Sequence, residues 1–259
     1  MATKSKDEFG DRIKAHESTC TSNKLDRNLP VYLRLDGRSF SKLTKPFDRP
    51  HDPKFAWAMA DTAKRTMAEF HADIGYCQSD EISLGWFPLS EEASPLFDYK
   101  IFKLTSVIAS FASVVLYQNL IRLGGVYKDR AMKMLPHLDA RVFNVPSNVE
   151  LMNAFVWREH DALKNNVQLL ARYNIGHKVM QGLPNVEVKK LLKDKGIDFE
   201  SLPSWRRNGT WFIRKGVNVN TPNGPVIRKK IMKFKNVPST TAEKLIVYGA
   251  IDPSYVPEG

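Results

Sequence analysis

The sequence predicts an α+β fold in which helices flank an antiparallel sheet, and two observations support this. First, apolar strand-like segments and segments with helical spacing follow one another in the order strand, helix, strand, strand, helix, strand. That order is the split βαβ, ferredoxin-like arrangement, which also underlies polymerase palm domains. Second, acidic residues end two of the predicted strands, where a sheet of this kind could hold a metal ion at its edge.

The elements of the first part of the chain are predicted from apolar periodicity. The helices cover residues 5–17, Lys54–Ala72 and Lys100–Leu120. The strands are Val31–Asp36, Ile74–Cys77, Ile82–Phe87 and Leu138–Val145, the middle two forming a hairpin. Residues 39–52 are predicted to be irregular, and Gly124–Lys133 to be a basic loop.

The second part of the chain is predicted to be mostly helical. A long amphipathic helix over Ser147–Tyr173 begins with a capping box formed by Ser147 and Glu150. A basic helix over Val186–Lys195 follows, and Trp211–Ile213 is strand-like. We predict a palm-like catalytic domain over residues 1–146, a helical region over residues 147–215, and an irregular, proline-containing C-terminal extension over residues 216–259.

The composition favours a polyanionic partner. The 259 residues include 39 Lys and Arg against 28 Asp and Glu, a formal net charge of +11, which favours nucleic acid first and a membrane surface second. The two cysteines lack metal-site spacing, so we expect neither a zinc site nor a disulfide framework. We expect a cytoplasmic location, where thiols stay reduced. The polar N-terminus and the short apolar stretch Val107–Leu116 predict no membrane association.

Two acidic motifs dominate the chemistry of the sequence. Arg34-Leu35-Asp36-Gly37-Arg38 ends one predicted strand, and Gln78-Ser79-Asp80-Glu81 follows another. Carboxylates at the ends of adjacent strands can share divalent metal, so Asp36 and Asp80 are predicted magnesium ligands and Gly37 a backbone contact. Glu81 is predicted to point to the opposite face unless the turn reorients it. The competing interpretation, a turn after Asp36 and a solvated hairpin tip at Asp80, is equally weighted on pattern alone.

Several polar residues are candidates for contacts with nucleotide or RNA. Lys100 and Lys103 begin a helix, where cations are disfavoured, so a nearby anion would explain them. The predicted nucleotide-binding residues are Arg38, Ser39, Phe40, Arg49, Asp52, Ser79, Lys100, Lys103 and Arg141. The predicted RNA-binding residues are Lys189, Lys190, Arg206 and Arg207. For each single surface residue, a solvated side chain is the competing interpretation.

Four motifs together resemble a known family. They are residues 34–40 (RLDGRSF), residues 76–83 (YCQSDEIS), residues 138–147, and residues 157–161 (WREHD). In this order they resemble the tRNA-His guanylyltransferase superfamily, over about residues 5–215. The resemblance implies a palm-like catalytic domain, two Mg²⁺ ions, ATP or GTP as substrates that activate a 5′-monophosphate, tRNA as partner, and a homotetramer.

The resemblance also implies individual roles. Asp36 and Asp80 match the metal carboxylates, with Gly37 lending its carbonyl, and Glu81 matches an adjacent acidic residue that the family needs. Arg49 stands where the family has Lys. Positions that align with nucleotide contacts are Asp52, Ser79, Lys103 and Arg141, and Lys189 and Lys190 lie near a family lysine.

One departure from the family pattern shapes the expected function. Enzymes that act on tRNA-His carry His-Ile-Asn-Asn after the Trp-Arg motif, whereas this chain has Leu163-Lys164-Asn165-Asn166. The change resembles the guanylyltransferase-like branch, which extends truncated tRNA against a template strand. We therefore expect template-dependent 3′-to-5′ nucleotide addition to the tRNA 5′ end. The alternatives are addition of one G at position −1 of tRNA-His, a nucleotide cyclase with a similar palm, and an RNA-binding module with a decayed site.

Overall fold

Six antiparallel strands form one sheet in the computed structural model, which describes residues 7–222 and 224–234. The order across the sheet is β4-β1-β3-β2-β5-β6. The strands are β1 (Val31–Gly37), β2 (Ile74–Gln78), β3 (Glu81–Trp86), β4 (Leu138–Asn144), β5 (Thr210–Thr221) and β6 (Gly224–Phe234). The first four strands have the 4-1-3-2 order of the ferredoxin-like arrangement, which confirms the predicted palm-like fold class.

Helices surround this sheet. They are α1 (Glu8–Thr21), α2 (Phe40–Leu43), α3 (Pro53–Glu69), α4 (Ile101–Leu123), α5 (Gly125–Met134), α6 (Asn148–Asn174), α7 (His177–Met180), α8 (Asn185–Asp194) and α9 (Ser204–Arg207). Short 3₁₀ helices cover Leu96–Tyr99 and Phe199–Ser201.

Different helices pack on the two faces of the sheet and bury its central strands. Because side chains alternate along a strand, Leu33 and Leu35 point to one face and join the core formed with α3 and α4. Tyr32 and Tyr76 point to the other face, where Phe155 of α6 packs. The sheet is therefore a central layer between α3 and α4 on one side and α6 on the other.

The predicted N-terminus of the long amphipathic helix is confirmed. Ser147 is the N-cap of α6, and its hydroxyl accepts a hydrogen bond from the Glu150 amide at 3.2 Å. The carboxylate of Glu150 accepts a hydrogen bond from Asn153.

Helix α4 is long and apolar enough, by length and composition, to cross a membrane. In this structure it packs on α3 and β4 and buries seven residues. The buried residues are Leu104, Ile108, Ala112, Val115, Leu116, Asn119 and Leu120. The core helix of a globular domain meets the same length and composition test.

Two predictions about irregular segments are wrong. The basic loop predicted over Gly124–Lys133 is helix α5, whose apolar positions Tyr127 and Ala131 are one turn apart and buried. The extension predicted to be irregular from Gly216 forms most of a long hairpin, because β5 and β6 pair from Trp211 opposite Phe234 to Thr221 opposite Gly224.

The sequence of this hairpin explains why it was missed. Residues 217–220 alternate valine with asparagine, which is the period of a strand, but asparagine and the prolines of this segment are depleted in strands. Pro225 lies near the start of β6, an edge strand in which proline is tolerated. The predicted boundary at residue 215 falls inside β5, and residues 235–259 of the predicted extension lie outside the described part of the chain.

The second half of α6 belongs to a separate small core. It packs with α7, α8 and the 3₁₀ helix at Phe199–Ser201. The buried members are Val167, Leu170, Ala171, Met180, Val188, Leu192 and Phe199. Helix α6 therefore links the sheet to this helical region, and α9 leads the chain back into β5.

Candidate active site

The two acidic motifs meet at one edge of the sheet. Strand β1 ends there at Gly37, and a two-residue turn, Ser79 and Asp80, joins β2 to β3. Asp36 and Asp80 line one cavity of about 400 Å³, here called the carboxylate cavity. Its other lining residues are Gln78, Ser79, Glu81, Arg158, Asp161, Asn165, Asn166, Gln168, Leu169 and Arg172. The strand ends and α6 thus enclose the two carboxylates.

Asp36 and Asp80 repel each other electrostatically. Burial raises the pKa of Asp80, a hydrogen bond from Ser79 opposes that rise, and the negative charge of Asp36 adds to it. Among the residues that the structure describes, neither carboxylate forms a salt bridge. A cation bound between them would remove the repulsion.

The donor set fits magnesium. Carboxylate and carbonyl oxygens are its preferred protein ligands, and it retains waters and phosphate oxygens as further ligands. Within residues 7–222 and 224–234, no group of three or more His, Cys, Asp or Glu side chains could hold a metal ion. Asp36, Asp80 and the Gly37 carbonyl therefore suit a metal ion that a substrate phosphate also binds.

Glu81 lies on the same face of the sheet as Asp36. The two residues are directly opposite in the β1–β3 pair, and side chains of opposite residues share a face. Asp80 lies in the turn before β3, so the alternation of side chains along a strand does not force Asp80 and Glu81 to opposite faces of the sheet. The turn is therefore the reason that Glu81 can lie at the same edge as both aspartates.

Arg158 of α6 holds the Glu81 carboxylate with two hydrogen bonds. The Nε and Nη2 atoms of Arg158 each lie 2.7 Å from an oxygen of Glu81, and both side chains are almost fully buried. Arg158 Nη2 also donates to Asp161 at 3.0 Å. Burial raises the pKa of Glu81, and Arg158 opposes that rise. Glu81 therefore anchors a cationic side chain at the wall of the carboxylate cavity.

A second cavity of about 310 Å³ adjoins the first. We call it the apolar slot, because aromatic and other apolar side chains form most of its wall. Those side chains are Phe40, Phe47, Phe55, Met59, Cys77 and Trp205. The slot shares Gln78, Ser79, Asp80, Asn166 and Leu169 with the carboxylate cavity. A flat apolar space beside paired carboxylates can accommodate a base next to metal-bound phosphates.

Contacts among three distant segments shape the polar end of the apolar slot. His51 Nε2 lies 3.1 Å from Asn166 Oδ1, and the Asn166 amide donates to the Arg207 carbonyl. The His51 ring packs edge-on against Trp205, and burial lowers the pKa of His51. Asn166 thereby joins α6 to α9 and to the loop before α3.

The predicted nucleotide-binding residues fall into two groups. Phe40, Arg49, Asp52 and Ser79 line the cavities at the carboxylate edge. Ser39 and Arg38 follow Gly37 directly at this edge, and Arg141 lies on β4 opposite Arg34.

Lys100 and Lys103 do not join this edge. Lys100, just before α4, pairs through its backbone with Lys24 in an isolated antiparallel β-bridge. Helix α4 runs antiparallel to α3. Phe111, in the middle of α4, packs on Phe70 at the end of α3, and the Asn119 amide, near the end of α4, donates to the Ala58 carbonyl near the start of α3. Because α3 begins at the apolar slot, the start of α4 lies at the other end of the sheet. Within one chain these two lysines are remote from Asp36 and Asp80.

The predicted RNA-binding residues lie on the helical region. Lys189 and Arg207 both form salt bridges with Glu200, at 2.6 and 3.2 Å. Arg206 stacks on Trp205 at the apolar slot, and Lys190 is exposed. Two of the four cations are therefore partly neutralised by a carboxylate.

Sequence reasoning did not select Arg158, Asn166 or His51 as site residues. Arg158 and Asp161 lie three residues apart on α6, a spacing that places them on one helix face. The Trp-Arg motif, residues 157–161, contains this spacing of an arginine and an aspartate, so the sequence could have indicated a polar cluster on α6. No local pattern indicates the His51–Asn166 contact, because 115 residues separate the partners.

Asp52 acts as a structural cap for α3. One carboxylate oxygen accepts from the Phe55 amide at 2.8 Å, and the other accepts from the Asp48 amide and from the Tyr127 hydroxyl. Asp52 is only 8% exposed. These bonds occupy the carboxylate that was predicted to contact nucleotide.

Replacing Asp52 with alanine is expected to lower the free energy of unfolding by about 2–4 kcal/mol, since a helix cap and buried hydrogen bonds are lost. Tyr127→Phe, which removes only one donor, should cost about 1 kcal/mol. Urea denaturation measures both. A large rise in KM for ATP with wild-type stability would instead assign Asp52 to nucleotide contact.

Gly37 has no room for a side chain. A Cβ built there would lie 2.5 Å from Cγ of Phe40. Gly37→Ala is therefore expected to displace the Phe40 ring and lower the free energy of unfolding by about 1–3 kcal/mol, which urea denaturation measures. The double variant Gly37→Ala, Phe40→Leu should recover part of the stability. Equal stability of Gly37→Ala and wild type would contradict this packing.

Comparison with known proteins agrees with this geometry. The family model described as tRNAHis guanylyltransferase matches residues 10–146, just over half of the chain. The chain belongs to the tRNA-His guanylyltransferase family. It is therefore a nucleotidyltransferase of a family that acts on the 5′ end of tRNA, and the predicted superfamily is confirmed.

Relatives and solved structures extend the family match. A bacterial tRNA-His guanylyltransferase-like protein, solved with ATP, superposes with a TM-score of 0.78 at 27% identity, covering 95% of this chain and all of that one. An uncharacterized mimivirus protein is 26% identical over 87% of this chain and 84% of its own length. The tRNA-His guanylyltransferase of Debaryomyces hansenii is 29% identical over 71% of this chain and 73% of its own length.

Proposed function

We propose that this member of the tRNA-His guanylyltransferase family adds nucleotides in the 3′-to-5′ direction to the 5′ end of truncated tRNA, with the opposite strand as template. The observation that carries this choice is Leu163, which stands where tRNA-His enzymes have the His of His-Ile-Asn-Asn. Leu163 packs against the apolar core of the helical region and offers no polar group. The similarity to the bacterial guanylyltransferase-like protein supports the same choice.

The two cavities suit different parts of the nucleotide substrate in this reaction. Structures of that bacterial relative contain ATP or GTP, so we assign the purine of such a nucleotide to the apolar slot and its phosphates to the carboxylate cavity. Asp36 and Asp80, with the Gly37 carbonyl, would hold magnesium. When bound, that metal supplies a polarised phosphate and an activated attacking oxygen.

The side chains of the carboxylate cavity have their own roles in the proposal. Arg158, fixed by Glu81 and Asp161, presents positive charge to phosphate oxygens, and Arg172 lines the same cavity. In the activation step, a 5′-phosphate oxygen attacks the α-phosphorus of ATP and pyrophosphate leaves. In the transfer step, the 3′-hydroxyl of the incoming nucleotide attacks the 5′ phosphorus and AMP leaves.

One assay tests this function. The protein is incubated with Mg²⁺ and nucleoside triphosphates, with either a 5′-truncated tRNA or full-length tRNA-His. We expect extension of the truncated tRNA, and we expect the added nucleotide to change when the opposite nucleotide is changed. A single G added to tRNA-His whatever the opposite nucleotide would favour the tRNA-His activity. Cyclic nucleotide formed without RNA would favour a cyclase.

We also propose a homotetramer. Exposed apolar side chains support it, because Phe102, Val107 and Val114 of α4 and Phe9 and Ile13 of α1 are all at least 40% exposed. Analytical ultracentrifugation measures the assembly, and a monomer at micromolar concentration would refute the proposal.

A further inference from the structure

One half of the sheet face that holds Asp36 is open. Helix α6 packs over β2, β3, β5 and the Tyr32 part of β1, where its side chains share a core with Tyr76 and Trp211. Strand β4 lies at the sheet edge, and its side chains on this face, Asp139, Arg141 and Phe143, are all exposed. The open surface therefore lies along β4 and is bordered by the partly exposed Arg34 and Asp36 at the end of β1.

Two aromatic rings are exposed on this surface. Phe143 is 43% exposed and packs one side of its ring against Tyr32, with ring centroids 5.4 Å apart. Trp157, on the side of α6 that borders this surface, is 56% exposed. The guanidinium groups of Arg34 and Arg158 lie over its ring, 5.6 and 4.5 Å from the ring centroid. Both rings are thus held in place by neighbours and leave a large apolar area uncovered.

The charge of the surface suits a polyanion. Arg141 lies directly opposite Arg34 across the β4–β1 pair. The Glu81 carboxylate, 4.0 Å from Arg34 Nε, partly offsets the charge of Arg34, which leaves Arg141 as the exposed arginine of this face. The salt bridges within residues 7–222 and 224–234 include none to Arg141. Exposed aromatic rings interleaved with arginine on an open sheet face are the means by which proteins bind unpaired nucleotides.

We propose that this open face binds the RNA substrate next to its 5′ end, with bases stacked on Trp157 and Phe143 and phosphates near Arg141. This inference rests on the proposed function, since it takes RNA as the substrate. Along β1, Arg34 and Tyr32 lie about 7 and 13 Å from Asp36 at 3.3 Å per residue. The rings are therefore within reach of the first nucleotides that follow the reacting end.

Substitution of each ring tests the inference. Trp157→Leu and Phe143→Leu keep apolar volume but remove the aromatic face. The dissociation constant for a 5′-truncated tRNA, measured by fluorescence anisotropy without nucleotide, should rise about tenfold for each variant. The dissociation constant for ATP should stay at the wild-type value, because neither ring lines the apolar slot.

The chain offers a matched control. Trp57 is 44% exposed on α3, the helix that covers the opposite face of the sheet. Trp57→Leu should change the RNA dissociation constant by less than twofold. If Trp157→Leu does not fold, Trp157→Phe retains a smaller ring and should weaken RNA binding about threefold.

Two results would overturn the inference. One is wild-type RNA affinity in both leucine variants. The other is a change of oligomeric mass in ultracentrifugation with unchanged RNA affinity, which would assign the face to a second copy of the chain. Ultraviolet crosslinking of 5′-labelled RNA to peptides that contain Trp157 or Phe143 would support it directly.

The addition assay separates this inference from the proposed function. If the wild-type protein binds truncated tRNA through the two rings but adds no nucleotide, the proposed function fails and the inference stands. If it adds nucleotide while both leucine variants bind RNA normally, the inference fails alone.

Discussion

Replacing Asp80 with asparagine is expected to reduce nucleotidyl transfer by at least about 1,000-fold if Asp80 has the proposed role of a metal ligand that stabilises phosphoryl charge. The same substitution should leave the melting temperature unchanged or raise it. Burial and Asp36 raise the pKa of Asp80, so its charged form destabilises the folded chain at neutral pH. Asparagine removes that charge. Transfer assays and thermal unfolding at pH 7 measure the two effects.

The pH dependence of stability gives a second readout for Asp80. A carboxyl group whose pKa is higher in the folded than in the unfolded chain binds more protons when folded. Its unfavourable effect on stability is therefore full above the folded pKa, declines as the pH falls from the folded to the unfolded pKa, and is absent below the unfolded pKa. The stability difference between Asp80→Asn and wild type should shrink as the pH is lowered from 7. Asp129→Asn, at an exposed position on α5, is the control and should leave both activity and stability unchanged. Wild-type transfer by Asp80→Asn would remove this residue from the site.

Breaking the Glu81–Arg158 pair is expected to have a large effect on stability. Both side chains are nearly buried, and Arg158→Met would leave the Glu81 carboxylate without its two hydrogen bonds. Breaking a buried ion pair usually costs about 3–5 kcal/mol, and we expect the free energy of unfolding to fall by about 3 kcal/mol, because Arg34 remains 4.0 Å from Glu81. Urea denaturation measures the loss.

A double-mutant cycle separates the structural role of this pair from its role in activity. Glu81→Gln combined with Arg158→Met removes both charges, so it should recover more than half of the stability lost in Arg158→Met. Transfer activity should remain low, because Arg158 then no longer presents its positive charge to the carboxylate cavity. Recovery of activity together with stability would show that the pair serves only folding.

Much of the carboxylate edge could be predicted because its signals are local. Asp36 and Asp80 each follow an apolar strand, and the strand order brings them to one edge. The N-cap at Ser147 is equally local. These features require no knowledge of which segments contact each other across the fold.

Other features depend on long-range contacts that no sequence pattern reveals. The position of Lys100 and Lys103 follows from the direction in which α4 crosses the sheet, which apolar periodicity does not determine. The use of Asp52 as a cap depends on Tyr127, 75 residues away. The β5–β6 hairpin was missed since its strands owe their structure to pairing with β2 and with each other.

The apolar slot has a consequence for how the protein folds. The carboxylates come from segments close in sequence, but the slot requires His51 to meet Asn166, 115 residues later, and Cys77 of β2 to pair with Thr210 of β5. Closing such long loops is slow and entropically costly. A folding chain should therefore complete the carboxylate edge before the slot. Amide hydrogen exchange should show the slot opening in the native protein while the edge stays protected.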